Sequence, residues 1–188
     1  MTRRGKSIVL IGMMGAGKSS VGRCLQRRIG LDLFDTDEIV AAKFGISIAE
    51  IFAKHGMDKF REAETQALRE LTASQRAIIV TGGGIVLCEE NTDLLKRFGV
   101  VVWLNAERET LFERASQTGN RPLLQGANPR KTFTQMLQAR LPLYAKLADI
   151  RVDTSVLTDE EVAVAILTKL RRLYPNREPE LPIPATER

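Results

Sequence analysis

The chain has 188 residues, 44% of them hydrophobic, which suits one domain with a sizeable core and would be cramped for two. Its longest apolar runs are only five or six residues, too short for a membrane span, and the first, Ile8 to Ile11, is too short for the apolar region of a signal peptide. The 28 Lys and Arg against 23 Asp and Glu give a net charge of +5, a modest excess that reads first as a solvated basic surface and alternatively as an attraction for anionic small molecules; basic runs of no more than two residues and 7 Phe, 2 Tyr and 1 Trp make it weak evidence for nucleic acid.

The first apolar run, Ser7–Ile11, predicts a strand. It leads into "GMMGAGKSS", Gly12 to Ser20, which carries the pattern G-x-x-x-x-G-K-[ST]. A phosphate chain needs several backbone N–H groups pointing inward at once, and so dihedrals that glycine adopts freely and no side chains in the way. A helix from about Gly17 then aims its N-terminus at the phosphates. Lys18 can reach the β- and γ-phosphates, and Ser19 can bind Mg²⁺. A plain glycine-rich turn is the alternative, but four fixed positions between a strand and a helix seldom match by accident.

The second run, Leu31–Phe34, ends at Asp35-Thr36-Asp37. Residues two apart in an extended chain point the same way, so both carboxylates can face one crevice. Alternatively, an Asp caps a helix over Glu38 to Phe44. Beside a phosphate loop, Mg²⁺ needs oxygen ligands and a hydroxyl acceptor needs a group to take its proton, which favours the functional reading. Ser47 with Glu50 fits a capping box. The single histidine, His55, precedes Gly56 at what reads as a helix end and is expected to be structural, leaving acid–base chemistry to a carboxylate or a lysine. From Phe60, the residues Ala63, Ala67, Leu68 and Leu71 recur at helical spacing. Arg61 and Glu64 share a face of that helix and can pair; taken alone, the pair reads as a surface salt bridge.

After the third run, Ala77–Val80, comes Thr81-Gly82-Gly83-Gly84, either a flexible turn or backbone exposed against a small ligand. This strand does not end in the aspartate found in many ATP-driven motor proteins. The fourth run is Val100–Leu104. Gly119 to Asn128, "GNRPLLQGAN", reads as a mobile loop in which Arg121 could swing onto phosphates. Pro129 fits the first position of a helix running to about Leu147 and carrying Arg140, whose isolated reading is again a surface ion pair. The fifth run, Ile150–Val152, precedes a second capping box, Thr158 with Glu161. Pro175 to Arg188 holds four of the seven prolines and reads as a disordered tail. Cys24 and Cys88 form no metal-type or redox-type spacing and are expected as free thiols in a reducing cytoplasm. Strands alternating with helices predict an α/β fold with a parallel sheet covered on both faces, and ligands at the carboxyl ends of its strands.

Taken together, "GMMGAGKSS", "DTD" at Asp35–Asp37, "ISIAEIFAKHGMDKFREAE" at Ile46–Glu64, "TGGG" at Thr81–Gly84, "RPLL" at Arg121–Leu124 and "RLPLY" at Arg140–Tyr144 resemble the shikimate kinase family. The resemblance implies one P-loop kinase domain, residues 1–174, with a five-stranded parallel sheet, a mobile lid at about 112–128, and a separate tail at 175–188. It implies transfer of the γ-phosphoryl of ATP to the 3-hydroxyl of shikimate, a step of chorismate and aromatic amino acid biosynthesis. Gly15, Ala16, Gly17, Lys18, Ser19 and Ser20 would hold the ATP phosphates. Ser19 would bind Mg²⁺, with Asp35 behind it through water. Asp37, Arg61, Gly82, Gly83, Gly84 and Arg140 would hold shikimate. Lys18, Asp37 and Arg121 would be catalytic, with Arg121 closing over ATP, and Arg114 would lie near adenine. The chain departs from the pattern at Val156 and Leu157, where some members place a polar or basic residue near the base. Two arginines beside one site suit an acceptor that carries a carboxylate. A gluconate-type sugar-acid kinase is the nearest alternative; a nucleotide-dependent switch is the alternative from another class, and the chain lacks an Asn-Lys-x-Asp motif for guanine. A cytoplasmic monomer that binds small molecules, neither nucleic acid nor membrane, is the expected context.

Overall fold

The computed structural model describes residues 7–71, 76–117, 124 and 126–173. Five parallel strands lie in the order β2-β3-β1-β4-β5: β1 (Ser7–Ile11), β2 (Asp32–Asp35), β3 (Ala77–Val80), β4 (Gly99–Asn105) and β5 (Ile150–Asp153). Every residue of β1, β3 and β4 is buried. Successive side chains on a strand point to opposite faces, so this pattern requires cover on both sides of the sheet. The edge strand β5 alternates buried and exposed residues.

The cover comes from α1 (Lys18–Ile29), α2 (Thr36–Phe44), α3 (Ile48–Glu70), α4 (Glu89–Phe98), α5 (Arg108–Gln117), α6 (Pro129–Leu147) and α7 (Asp159–Leu173). Their starts are set locally. Ser47 and Glu50 close a reciprocal capping box on α3, Thr158 and Glu161 exchange the same pair of bonds ahead of α7, and Pro129 opens α6 under an Asn128 cap. Gly56, at φ 81° and ψ 174°, breaks α3 into two helical stretches, and the His55 ring rests 5.2 Å from that of Phe44. The helix after β2 begins at Thr36, two residues before the expected start at Glu38, because Asp35 itself is the cap.

Two apolar clusters result. The larger joins the sheet to α1, α4, α6 and α7; the smaller, built on Val40, Ile51, Phe60 and Ala67, lies between α2 and α3. Leu10 and Asp35 both pair with Val80, so the carboxyl ends of β1, β2 and β3 are level and the three following loops meet at one edge. Within the segment expected to form a lid, residues 112–117 belong to α5; Arg121, with 118–120, 122–123 and 125, lies outside the described residues, as do 174–188 and with them the proline-rich tail. No helix among the described residues is long and apolar enough to cross a membrane.

Helix α1 approaches the sheet closely because of Gly22. A Cβ there would lie 2.7 Å from Val80 Cγ2 and 3.1 Å from Leu33 Cδ1. Alanine is worth up to about 1 kcal/mol more than glycine in a helix, whereas overpacking a core costs about 1–3 kcal/mol. Gly22→Ala is therefore expected to lower stability by about 1 kcal/mol in urea unfolding; a gain in stability would show that the interface has slack.

Candidate active site

The loop after β1 owes its shape to glycines in the left-handed region. Gly12 has φ 144° and Gly15 has φ 84°, and a Cβ on either would collide with a backbone carbonyl, of Leu104 and Leu111 respectively. The loop thus folds tightly against the ends of β4 and α5, and Gly17 caps α1. Lys18 Nζ donates to the carbonyls of Gly12 at 2.9 Å and Met13 at 3.1 Å, which holds the ammonium across the mouth of the loop. Ala16 is buried within the loop, while Ser19 and Ser20 lie in the first turn of α1, partly exposed.

Asp35 satisfies both readings of its sequence position. Its Oδ1 accepts from the Asp37 amide at 3.0 Å and caps α2, while its Oδ2 accepts from Ser19 Oγ at 2.9 Å. A hydroxyl and a carboxylate oxygen held together beside a phosphate loop are hard oxygen donors that fit Mg²⁺, an ion that keeps several waters and takes substrate phosphates as ligands. Among the described residues no cluster of three or more His, Cys, Asp or Glu could hold a metal without such help.

The glycine loop after β3 is packed on all sides. A Cβ on Gly82 would lie 2.5 Å from Glu64 Oε1 and 2.7 Å from Asp37 Oδ1, so these two carboxylates converge on one point of the loop. A Cβ on Gly84 would collide with the Arg61 guanidinium. At Gly83 it would lie 3.3 Å from the Gly12 carbonyl, 3.4 Å from the Met14 amide and 3.7 Å from Arg140 Nη1. Thr36, between the two aspartates, accepts from the Gly82 amide at 3.2 Å. The structure therefore brings Asp37, Arg61, Gly82, Gly83, Gly84 and Arg140 together, directly beside the phosphate loop.

Neither arginine forms a surface ion pair. Arg61 Nη1 donates to Glu64 Oε2, and Glu64 is wholly buried. Burial pushes the Glu64 carboxyl up to about 7, against the opposing pull of Arg61. Arg140 is 5% exposed, and burial lowers the pKa of its guanidinium. Its hydrogen-bond partners are two thioethers, Met13 Sδ and Met136 Sδ, each at 3.8 Å, and the hydroxyl of Tyr144. Thioether sulfur is a weak acceptor and the phenol is neutral, so an incoming anion would compensate this buried charge better than these partners do.

Arg114 stands apart from this cluster, on the other side of the phosphate loop. It donates to the Thr154 carbonyl at 3.0 Å and the Ser155 carbonyl at 3.3 Å, and Thr154 in turn lies on the loop through Ala16. Its guanidinium is thus fixed against the turn that exposes Val156. Sequence reasoning paired Glu64 with Arg61 but gave it no place in the site, and it overlooked Met13 and Tyr144. For Glu64 the three-residue spacing was a usable signal; for the other two, only the fold shows what they touch.

With this geometry in view, comparison with known proteins is consistent. The shikimate kinase family model matches residues 14–171. A curated shikimate kinase of Thermodesulfovibrio yellowstonii is 46% identical over 168 residues, 89% of this chain and 96% of that protein. The solved shikimate kinase from Acinetobacter baumannii in complex with shikimate superposes with a TM-score of 0.84 at 35% identity, covering 94% of this chain and 97% of that one. A gluconokinase from Sinorhizobium meliloti, at TM-score 0.58 and 22% identity over 93% of this chain and 97% of its own, shares the fold alone. The chain belongs to the shikimate kinase family.

Proposed function

We propose that the chain transfers the γ-phosphoryl group of ATP to the 3-hydroxyl of shikimate, giving shikimate 3-phosphate and ADP. One observation carries the reading: Gly83 is wedged between the phosphate loop and Arg140. An acceptor whose carboxylate pairs with Arg140 and Arg61 therefore lies within one small molecule's length of the γ-phosphate. Fixing both reactants in one geometry is the main service a kinase provides, because the transition state of phosphoryl transfer is loose and needs charge stabilisation more than covalent help.

The residues divide the work. The loop amides from Gly15 to Ser20 and the Lys18 ammonium hold the phosphates, and Lys18 leaves its carbonyl partners for the β- and γ-oxygens. Mg²⁺ would be held by Ser19, with Asp35 behind it through water, and would neutralise charge on the β- and γ-phosphates. Asp37, in the first turn of α2, faces the glycine loop where the acceptor hydroxyl would lie; it orients that hydroxyl and takes its proton. Arg114 supports the adenine from the fixed turn at Thr154–Ser155, and Arg121 supplies a further positive charge over the phosphates, closing with the lid at about 112–128. Unpaired thiols at Cys24 and Cys88 suit the cytoplasm, where ATP is available.

Three measurements bear on this. With Mg·ATP, shikimate is expected to drive rapid ADP release, whereas gluconate and nucleoside monophosphates do not; equal rates with gluconate would replace the proposal by a sugar-acid kinase. The two aspartates should fail differently. Asp35→Asn is expected to weaken Mg²⁺ binding, with activity partly restored at raised Mg²⁺. Asp37→Asn is expected to lower kcat on the order of 10²-fold or more at any Mg²⁺ concentration while Mg·ATP still binds. Magnesium rescue of the Asp37 variant in place of the Asp35 variant would reverse the assignment.

The third concerns Glu64. Its folded pKa, about 7, lies above the ordinary 4.5 of the unfolded chain, so the folded state binds its proton more tightly. The stabilisation from this group is complete below about pH 4.5 and is lost as pH rises through about 7. Relative to Glu64→Gln, the wild type is expected to lose on the order of 3 kcal/mol between pH 4.5 and 8, read by urea unfolding across that range. A difference that stays constant with pH would mean that Glu64 is ionised throughout.

A further inference from the structure

Tyr144 lies one turn after Arg140 on α6 and is fully buried. Its ring stacks on Trp103 of β4 at 5.9 Å and 27° between planes. Its hydroxyl donates to the Gly83 carbonyl at 2.5 Å. The two flanking carbonyls are also taken, Gly82 by the Ile85 amide at 3.2 Å and Gly84 by the Leu87 amide at 3.1 Å. Of the amides, that of Gly82 is held by Thr36. Those of Gly83 and Gly84 donate to no acceptor among the described residues. The loop thus commits its three carbonyls to the protein and keeps two N–H groups for something else.

The peptide between Gly83 and Gly84 is trans, so its C=O and N–H point in opposite directions. Drawing the Gly83 oxygen toward α6 turns the Gly84 N–H away from it. The Arg61 guanidinium lies directly against Gly84 on that loop. We infer that Tyr144 is a positioning residue: its hydroxyl fixes the Gly83–Gly84 peptide plane so that the Gly84 N–H is presented, beside Arg61, to an oxygen of the acceptor. The acceptor class is a polyhydroxylated carboxylate, and the inference rests on the shikimate kinase reading above. A glycine pair has no side chains to hold its own peptide plane, so an external donor is needed to do so. Burial pushes the Tyr144 phenol up to about 12, which keeps it a donor throughout the neutral range. The approach of Met13 Sδ to within 4.0 Å of the same hydroxyl closes the pocket around it with the residue that also touches Arg140.

The test is Tyr144→Phe, which keeps the ring and its stack and removes the hydroxyl, with its bond to Gly83 and its contact to Arg140. Calorimetry gives the shikimate affinity without nucleotide and the Mg·ADP affinity without shikimate, steady-state kinetics give KM and kcat, and urea unfolding gives stability. Expected is a rise of about tenfold in both Kd and KM for shikimate, with kcat within about threefold and Mg·ADP affinity within about twofold of wild type. Shikimate affinity within twofold of wild type overturns the inference. So does an equal loss for shikimate and Mg·ADP, which would mark Tyr144 as a merely structural residue of the whole edge. Trp103→Phe, which loosens the stack and keeps the Tyr144 hydroxyl, is expected to lower the urea midpoint without a selective loss of shikimate; the same selective loss there would assign the effect to packing and overturn the inference. A wild type that neither binds nor phosphorylates shikimate overturns the functional reading and the inference together. A wild type that does both, beside an unchanged Tyr144→Phe variant, overturns the inference alone.

Discussion

Burying a guanidinium costs several kcal/mol unless its charge is paired and its donors are hydrogen-bonded. Arg140 meets these conditions only in part: it is 5% exposed, and its partners are two thioethers and the neutral hydroxyl of Tyr144. The surroundings make this tolerable. Glu64 contributes attraction from across the glycine loop, Arg61 adds repulsion, and the stability of α6 and the sheet beneath must absorb the balance. The same imbalance gives the site its purpose, because an incoming carboxylate gains from an arginine that has already shed its water. Opposite signs of desolvation act on Glu64, which burial drives toward its neutral form. One enclosure thus leaves a cation wanting an anion and softens the anion that competes for it.

The close quarters depend on alignment at the sheet edge. Because Leu10, Val80 and Asp35 are level, the loops after β1, β2 and β3 rise together, and small residues at Gly12, Gly82, Gly83 and Gly84 let them touch. Ser19 bonded to Asp35 joins the first loop to the second, and Gly82 bonded to Thr36 joins the second to the third. Each strand therefore contributes chemistry through its last residues while its body is spent on the core, as expected where a parallel sheet is buried on both faces.

Much of this was legible along the chain where the determining physics is local. A phosphate loop is a run of adjacent residues, and a capping box such as Ser47 with Glu50 is closed within one turn, so both could be read directly. The five apolar runs marked the strands to within a residue or two, since burial on both faces confines polar residues in β1 and β4 to the ends, Ser7 and Asn105, and leaves none in β3. Reading failed where meaning comes from across the fold. Arg61 with Glu64 has the spacing of an ordinary surface pair, and only the packing of α3 against the glycine loop puts Glu64 out of reach of water. Tyr144 looks like one more aromatic core residue; its hydroxyl matters because it ends on Gly83, 61 residues away in sequence. The family resemblance supplied names for Asp37 and Arg140, but not the reason that Arg140 is held between two methionines.

The small cluster of Val40, Ile51, Phe60 and Ala67 has a consequence for how the molecule breathes. Asp37, Arg61 and Glu64 all ride on α2 and α3, which share a small cluster of their own and reach the large core through Leu68 near the end of α3, and Gly56 interrupts α3 ahead of Arg61. Segments with fewer buried apolar contacts open at lower free energy than the rest of a domain. The part of the acceptor site carried by α2 and α3 is therefore expected to loosen first, while the phosphate loop, anchored on the fully buried β1, is expected to open among the last. Amide exchange should sort the two halves of one catalytic cleft into different tiers of protection, with the fast tier tracing the α2–α3 hairpin.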